Sequence, residues 1–208
     1  MKFRVIFGKS RVALDDLATL HDSNGIVVQG SQDMMRIELG DGRVAFIAGA
    51  LVGIRTSAGG MTRVDYVSER LRDLLRSCSF EKCCEQLEGR YLLAIVSGSS
   101  CQVGADRFGQ RDCFYQTVDG STVFASDISL LPIAQSKDKR SFDQVGLAHT
   151  LTMYGYRPAK RHTLYQDVKR LGVREFVRWQ NGRTEFVVAP FRPLANVRYG
   201  ERELNEYA

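Results

Sequence analysis

The first half of the chain alternates short apolar runs with polar, turn-rich segments. Apolar residues fill Phe3–Phe7, and similar runs cover Gly25–Gln29 and Met34–Leu39. A Gly-Asp-Gly turn then precedes Arg43–Ala50, whose central residues are apolar at consecutive positions. Short runs bounded by turn residues predict strands, and consecutive apolar positions predict that the last strand is buried on both faces.

Two segments carry the period of an amphipathic helix. Between Arg63 and Cys78 the apolar residues recur at intervals of three and four, which places them on one helical face. They are Val64, Val67, Leu71, Leu74 and Leu75. A second helix is predicted over Phe142–Met153, with Ser141 as its N-cap. Its apolar face would comprise Val145, Leu147, Ala148 and Leu151.

The remaining strands are predicted in pairs around glycine-containing turns. The pairs are Tyr91–Val96 with Ser100–Ala105, Cys113–Val118 with Thr122–Ala125, and Val173–Trp179 with Thr184–Val188. Asp-Gly and Asn-Gly turns join the last two pairs, which is a strong hairpin signal. Many strands with only two clear helices favour an α+β fold of two stacked sheets covered by helices, rather than alternating βαβ units.

Length and composition indicate an ordinary globular domain. The 208 residues are 44% hydrophobic and 25% charged, which suits one domain or at most two. No run approaches the roughly 18 apolar residues of a membrane-spanning helix, and Met1–Lys9 lacks the apolar core of a secretory signal. We therefore expect a cytoplasmic protein with no membrane partner.

Neither the charge balance nor the cysteine content indicates a particular ligand or reaction. Lys and Arg exceed Asp and Glu by 29 to 24, but the basic runs at 137–140 and 157–161 lack a stacking platform, so no nucleic-acid partner is predicted. The five cysteines are odd in number and two are adjacent, which favours reduced thiols over a disulfide framework. Because no Cys-x-x-Cys pair or nearby histidine accompanies them, we predict no metal site.

Three motifs in the central block resemble those of a known family. They are LEGRYLLAIV at Leu87–Val96, ADRFGQRDCFY at Ala105–Tyr115, and FASDISLL at Phe124–Leu131. Their order and spacing resemble the N-terminal, glutaminase-type domain of asparagine synthetases, and the resemblance covers about Phe46 to Val188. The matching motif positions, which we interpret as structural, are Gly89, Asp106, Arg107, Gly109, Tyr115, Ser126 and Asp127.

Three motif residues differ from those usual in the family, but the order and spacing of the motifs are unchanged. Ala105 stands where the family usually has arginine, Asp112 where it has proline, and Asp127 where it commonly has glutamate. Met153–Tyr165 resembles the family's tyrosine-x-proline and threonine-isoleucine-phenylalanine region. Lys169–Arg174 resembles its segment before the last hairpin, with a departure at Val173.

Membership of that family implies a specific architecture. It implies the four-layer αββα fold of N-terminal nucleophile hydrolases, with two stacked antiparallel sheets between helices. It also implies a following ATP-dependent synthetase domain, where ATP and Mg²⁺ would bind; no cofactor is expected in residues 1–208. We accordingly expect residues 1–190 to form the glutaminase-like domain and residues 191–208 to be a linker or the start of the synthetase domain.

The residues for glutamine hydrolysis are absent from the matching positions. The family attacks the amide with the thiol of an N-terminal cysteine exposed by methionine removal, but position 2 here is Lys2. The family's asparagine-glycine-glutamate segment, which supplies an oxyanion-hole amide, matches Ala48-Gly49-Ala50. Arg36 and Asp65 are the nearest candidates for the remaining substrate contacts, although the spacing places neither. We expect a degenerate site without catalytic residues.

Three hypotheses about function remain. The first is a non-catalytic scaffold in an asparagine-synthetase-like enzyme that forms amides, of the type of β-lactam synthetases or lasso-peptide cyclases. Its partner would be a synthetase domain in cis or a separate subunit. The second is a free-standing module that binds a peptide or a separate synthetase subunit. The third is an amidohydrolase with another nucleophile, drawn from Cys78, Cys83 and Cys84.

The other chemically notable residues favour structural roles. Asp106 and Arg107 lie in a loop between strands, where an ion pair or a cap on the turn at Gly109 is expected. His149 and His162 have no acidic or nucleophilic partner close in sequence. Trp179 is predicted to lie in the core or on a sheet face.

Overall fold

The computed structural model describes residues 1–8, 17–55, 60–63, 68–135, 141–152 and 161–189. These ranges contain thirteen strands, four α-helices and one 3₁₀ turn at Ile128–Leu130. The strands are β1 (Phe3–Phe7), β2 (Ala18–Ser23), β3 (Ile26–Gly30), β4 (Met35–Gly40), β5 (Arg43–Arg55), β6 (Met61–Arg63), β7 (Leu87–Ser97), β8 (Ser100–Ala105), β9 (Phe114–Val118), β10 (Ser121–Ala125), β11 (Val168–Arg170), β12 (Glu175–Gln180) and β13 (Arg183–Val188). The helices are α1 (Glu69–Ser77), α2 (Phe80–Gln86), α3 (Pro132–Gln135) and α4 (Gln144–Thr152).

The described strands form two sheets. The first has the order β11-β9-β10-β1-β3-β2, and the second has the order β13-β12-β8-β7-β5-β4, with β6 also paired to β5. All of these pairings are antiparallel. The predicted pair of antiparallel sheets is thereby confirmed.

The main core lies between the two sheets. Phe3, Val5 and Phe7 of β1 pack in one buried cluster with Phe46 of β5. Trp179 of β12 belongs to the same cluster and stacks on Phe7, with 5.5 Å between ring centroids. The prediction that Trp179 is a core residue is therefore confirmed, and the N-terminal strand is held at the centre of the molecule.

Helices cover the outward faces of both sheets. On the second sheet, Leu71 and Leu75 of α1 and Phe80 of α2 pack against Ile47 and Leu93. On the first sheet, the 3₁₀ turn and α3 contribute Leu130, Leu131 and Ile133 to a cluster with Ile6 and Val123. Strand β5 places Phe46 in the inner cluster and Ile47 in the outer one, which confirms that it is buried on both faces.

The first predicted helix is shorter than its apolar period suggested. Helix α1 begins at Glu69, and Arg63 lies in strand β6 instead. The Ser68 hydroxyl accepts a hydrogen bond from the Leu71 amide, which makes Ser68 the N-cap and fixes the start of the helix. Val64 and Val67 lie outside the described residues. Cys83 and Cys84 lie on a separate helix, α2, which the sequence did not predict.

The second predicted helix has a different cap and a more exposed face. Asp143, not Ser141, is its N-cap: the Asp143 carboxylate accepts a hydrogen bond from the Gly146 amide at 2.9 Å. The predicted apolar face is largely exposed, since Val145, Leu147 and Leu151 have exposed fractions of 48, 39 and 74%. The helical period alone did not show whether another element covers that face.

The strand predictions hold, with shifts at their ends. Strand β5 continues to Arg55, and β12 starts at Glu175, so Val173 precedes the strand. Strands β2, β6 and β11 were not predicted. The basic run at 137–140, residues 157–160 of the second basic run, and the expected linker at 191–208 lie outside the described residues. Among the described helices, none has the length and apolar character needed to cross a membrane.

Candidate functional site

The first residues of the chain are fixed by hydrogen bonds on both sides. The Lys2 amide donates to the Ser31 hydroxyl at 3.1 Å, and the Ser31 amide donates to the Lys2 carbonyl at 3.1 Å. One residue further, the Phe3 amide donates to the Ser126 hydroxyl at 3.0 Å. These bonds hold Lys2 and Phe3 in place and so constrain the position of Met1.

Met1 reaches from the first sheet to the second. The Gly49 amide of β5 points at the Met1 thioether, with 2.8 Å between nitrogen and Sδ. The Arg111 guanidinium donates to the Met1 carbonyl oxygen at 2.7 Å. The residue in contact with the Gly49 amide therefore carries a thioether rather than a thiol or hydroxyl.

Gly49 lies at a close approach of two neighbouring strands. Its φ is +132°, and Gly89 on β7 has a φ of +147°, both in a region that side chains rarely adopt. A Cβ on Gly49 would lie 2.2 Å from the Arg90 carbonyl oxygen, and one on Gly89 would lie 2.2 Å from the Ala50 carbonyl oxygen. These positions require glycine, and the Gly49 amide is left pointing away from the regular ladder.

The residues on either side of Gly49 carry methyl groups. Ala48 is fully buried in the inter-sheet core, and Ala50 is exposed. Neither side chain can donate a hydrogen bond to a developing negative charge. Of the three matching residues, Gly49 is the one whose backbone amide faces Met1.

A buried aspartate shapes the loop that carries Arg111. Asp106 is 2% exposed, and its carboxylate accepts hydrogen bonds from the amides of Phe108 (3.1 Å), Gln110 (3.0 Å) and Arg111 (2.9 Å). Three backbone donors compensate the cost of burying this charge. The loop is therefore organised by Asp106, and its last donor residue projects towards Met1.

Arg107 pairs with a residue of strand β7 rather than with its neighbour Asp106. Its guanidinium lies 3.1 Å from a Glu88 carboxylate oxygen, and Arg55 lies 2.7 Å from the same oxygen. The Arg107 guanidinium also covers the Phe108 ring, 4.2 Å from its centroid. These contacts give Arg107 a structural position beside the loop.

An open groove lies at the loop that runs from Asp106 to Arg111. It has a volume of about 430 Å³ and is lined by Arg90, Phe108, Gly109 and Gln110. Burial lowers the pKa of Arg111, and repulsion from Arg90 lowers it further, while Asp33 acts in the opposite direction. The two guanidinium groups are thus close enough to interact.

Two further motif positions, Asp127 and Tyr115, have structural contacts. The Asp127 carboxylate caps the 3₁₀ turn by accepting a bond from the Ser129 amide at 2.8 Å. A hydrogen bond from the Ser129 side chain chiefly lowers the pKa of Asp127, and the Ser129 amide and the Lys2 charge add to the effect. Tyr115 on β9 stacks on Phe124, and burial raises its pKa.

The two candidates for further substrate contacts do not join this site. Arg36 lies on β4 with its guanidinium 2.7 Å from the Glu38 carboxylate, and Asp65 lies outside the described residues. His162, for which no partner was expected close in sequence, bonds the Asp143 carboxylate at 3.0 Å, as does Lys169. Within the described residues, no group of three or more His, Cys, Asp or Glu side chains is arranged to hold a metal ion.

All five cysteines are free thiols. Burial raises the pKa of Cys83 and of Cys113 to about 12, and it also raises the pKa of Cys84 and Cys101. A thiol with such a pKa is almost entirely protonated at neutral pH and is a poor nucleophile.

Sequence reasoning missed the roles of Met1, Ser31, Arg90 and Arg111. Arg111 lies inside one of the motifs, so its position was marked, although its contact with Met1 spans 110 positions along the chain. Arg90 also lies inside a motif, whereas Ser31 carries no local signal, because only the tertiary structure brings it to Lys2. Cross-sheet contacts of this kind are invisible to a periodicity argument.

The structure is a mixed α/β domain with two antiparallel sheets. In it, Met1 at the start of the chain contacts the backbone amide of Gly49 on the second sheet. Residues 65–191 match the family described as a glutamine amidotransferase domain. Since this match covers more than half of the chain, the chain belongs to the glutamine amidotransferase domain family.

The chain also aligns with a solved structure over part of its length. The solved structures include glutamine phosphoribosylpyrophosphate (PRPP) amidotransferase from B. subtilis, complexed with ADP and GMP. It aligns with a TM-score of 0.40 and 13% identity, over 79% of this chain and 35% of that chain. This chain therefore spans about a third of the length of that structure. The search of curated proteins found no match.

Proposed function

We propose that this glutamine-amidotransferase-type domain does not hydrolyse glutamine and acts as a scaffold for an ATP-dependent, amide-forming synthetase domain. We further propose that its sheets and helices form the four-layer αββα arrangement of N-terminal nucleophile hydrolases. One observation carries the loss of activity: the Gly49 amide faces the thioether of Met1.

A thioether cannot perform the first step of amide hydrolysis. A nucleophile must lose a proton and form a covalent bond to the amide carbon, and the Met1 sulfur has no proton to lose. The side chains of Ala48 and Ala50 supply no donor for the oxyanion, and one missing donor already costs about a hundredfold or more in rate. The geometry around Gly49 therefore supports a site without glutaminase chemistry.

The state of the cysteines weighs against a replacement nucleophile. Cys83 is fully buried, and its pKa of about 12 leaves a negligible thiolate fraction at pH 7. Cys84 is half-buried on the same helix, and burial raises its pKa as well. An amidohydrolase that uses this cluster would need thiols that are both ionised and accessible.

The proposed parent enzyme follows from the motifs of the central block. We infer an asparagine-synthetase-like cytoplasmic enzyme of the β-lactam synthetase or lasso-peptide cyclase type, which adenylates a carboxylate and lets a substrate amine attack it. Such an enzyme needs no ammonia from glutamine, which explains how the Gly49 site could decay while the fold persisted. Residues 1–190 would form the scaffold, residues 191–208 would lead to the synthetase domain, and ATP and Mg²⁺ would bind in the latter.

A glutaminase assay tests the loss of activity. The purified protein is incubated with glutamine, and glutamate is measured with a coupled dehydrogenase. Separately, it is treated with an electrophilic glutamine analogue and its intact mass is recorded. We expect no glutamate above the buffer control and no adduct. Glutamate release that disappears on a Cys78→Ser substitution, together with an adduct on that residue, would contradict the proposal.

The scaffold role is tested by searching for the synthetase domain or subunit. We expect a phosphate loop of the type serine-glycine-glycine-x-aspartate-serine downstream in the same reading frame, or a separate subunit with that loop that co-purifies with this protein. A reading frame that closes soon after Ala208, without a co-purifying synthetase, would favour the alternative of a free-standing peptide-binding module.

A further inference from the structure

We propose that the groove at the Phe108–Gln110 loop binds an acidic peptide segment, with Arg90 as the direct contact for its carboxylates. The groove is lined by Arg90, Phe108, Gly109 and Gln110, and its volume of about 430 Å³ is within the range of ligand pockets. The inference goes beyond the proposed scaffold role and does not depend on it.

Arg90 is the charged residue among those that line the groove. Arg90 is exposed, and no carboxylate of the described ranges forms an ion pair with it. Arg111 lies near enough to Arg90 for their repulsion to lower its pKa. The neighbouring Arg107 shares Glu88 with Arg55, so that cluster also has one positive charge in excess. A carboxylate in the groove would relieve this repulsion.

The same groove offers an apolar surface. The Phe108 side chain is 55% exposed, although the Arg107 guanidinium covers one side of its ring. Val173 is 59% exposed and lies against the same loop, because a Cβ on Gly109 would be 3.2 Å from Val173 Cγ2. Exposed apolar side chains next to arginines suit a peptide that combines aromatic or aliphatic residues with carboxylates.

The loop geometry favours carboxylates over phosphate. Phosphate groups are commonly cradled by successive backbone amides. In this loop the amides of Phe108, Gln110 and Arg111 all donate to the Asp106 carboxylate. Side chains are therefore left to recognise an anion, and the planar guanidinium of Arg90 matches a carboxylate with two parallel hydrogen bonds.

Fluorescence anisotropy tests the proposal. The probe is a short fluorescein-labelled peptide with several glutamates around one phenylalanine, and its counterpart has glutamine at every glutamate. We expect the acidic peptide to bind at least about tenfold more tightly, with an affinity that falls as salt is added. Arg90→Gln should weaken binding of the acidic peptide by about tenfold, the loss of one charged contact. Arg90→Lys keeps the charge but not the two parallel hydrogen bonds, so its loss should be smaller than that of Arg90→Gln.

Two further variants make the result specific. Phe108→Ala should weaken the acidic peptide about threefold or more through lost apolar contact. Arg72→Gln removes the same charge from an exposed position on α1 and should leave the affinity within about twofold of the wild type. Each variant is exposed at the altered position, and an unchanged melting temperature checks that it is folded.

Several outcomes would overturn the proposal. They are equal binding of the two peptides, an Arg90→Gln variant that binds like the wild type, or an equal loss in Arg72→Gln. Displacement of the peptide by a single-stranded oligonucleotide at equal charge concentration would point to a general polyanion surface instead. None of these results changes the glutaminase assay, so failure here and failure of the proposed function are distinguishable.

Discussion

At the scale of single residues, the pair Gly49 and Gly89 sets the geometry around Met1. Both have positive φ within strands, and each faces a carbonyl oxygen of the partner strand at a distance that leaves no space for a Cβ. The Gly49 amide is thereby presented to the Met1 sulfur. The sequence marked both positions by motif, but the close approach itself depends on the pairing of β5 with β7.

A Gly49→Ala substitution should be strongly destabilising. The φ of +132° is costly for alanine, and the added Cβ would collide with the Arg90 carbonyl oxygen, so we expect a loss of about 3 kcal/mol or more. Urea unfolding followed by circular dichroism measures it. The control is Gly98→Ala, where φ is +56° and no atom lies within 4 Å of the added Cβ, so about 1 kcal/mol is expected. Equal losses in the two variants would show that the contact with β7 is not restrictive.

At the scale of elements, helix α4 is attached to the rest of the domain through its cap. Asp143 bonds the Gly146 amide within the helix, and its carboxylate also lies 3.0 Å from both His162 and Lys169. The Gly146 amide chiefly lowers the pKa of Asp143, and His162 and Lys169 add to this. The helical period located α4, but its N-cap is Asp143 and not the predicted Ser141; serine and aspartate are both good N-caps, so residue type alone did not identify the position.

The bonds of Asp143 should make stability depend on pH in the acidic range. The folded carboxyl has a lower pKa than the unfolded value of about 3.9, so its contribution is complete above that value and is lost as the pH falls through the folded pKa. We expect Asp143→Asn to cost about 1–2 kcal/mol at pH 7 and progressively less below about pH 4. Urea titrations at several pH values measure the difference. Asp41→Asn, in an exposed turn, should show no such convergence.

At the scale of the whole molecule, the three buried cysteines lie in two different hydrophobic clusters. Cys101 and Cys113 lie in the core between the sheets, whereas Cys83 lies between α2 and the second sheet. Each has an exposed fraction of 1% or less. Access to these thiols therefore requires opening of the layers rather than movement of a side chain.

Alkylation should follow unfolding for these three cysteines. With a pKa of about 12, Cys83 and Cys113 are neither ionised nor accessible at pH 8, and Cys101 is equally buried. We expect iodoacetamide to modify them only as urea approaches the unfolding midpoint, as mapped by peptide mass spectrometry. Cys78, which is partly exposed, provides the internal comparison. Rapid modification of Cys83 in native buffer would show that the α2 layer opens independently.

The sequence by itself determined most of the strands, the hairpin turns, the α+β class and the family motifs, because each depends on neighbours close in the chain. Continuous apolar runs located β1 and β5, and the Asn181-Gly182 turn located the last hairpin, where both residues have the expected positive φ. Only the tertiary structure decided that Met1 meets Gly49, that Asp106 organises the loop of Arg111, and that the face of α4 is exposed. These contacts join residues far apart in the chain, and their partners are selected by sheet pairing and packing, which no local pattern encodes.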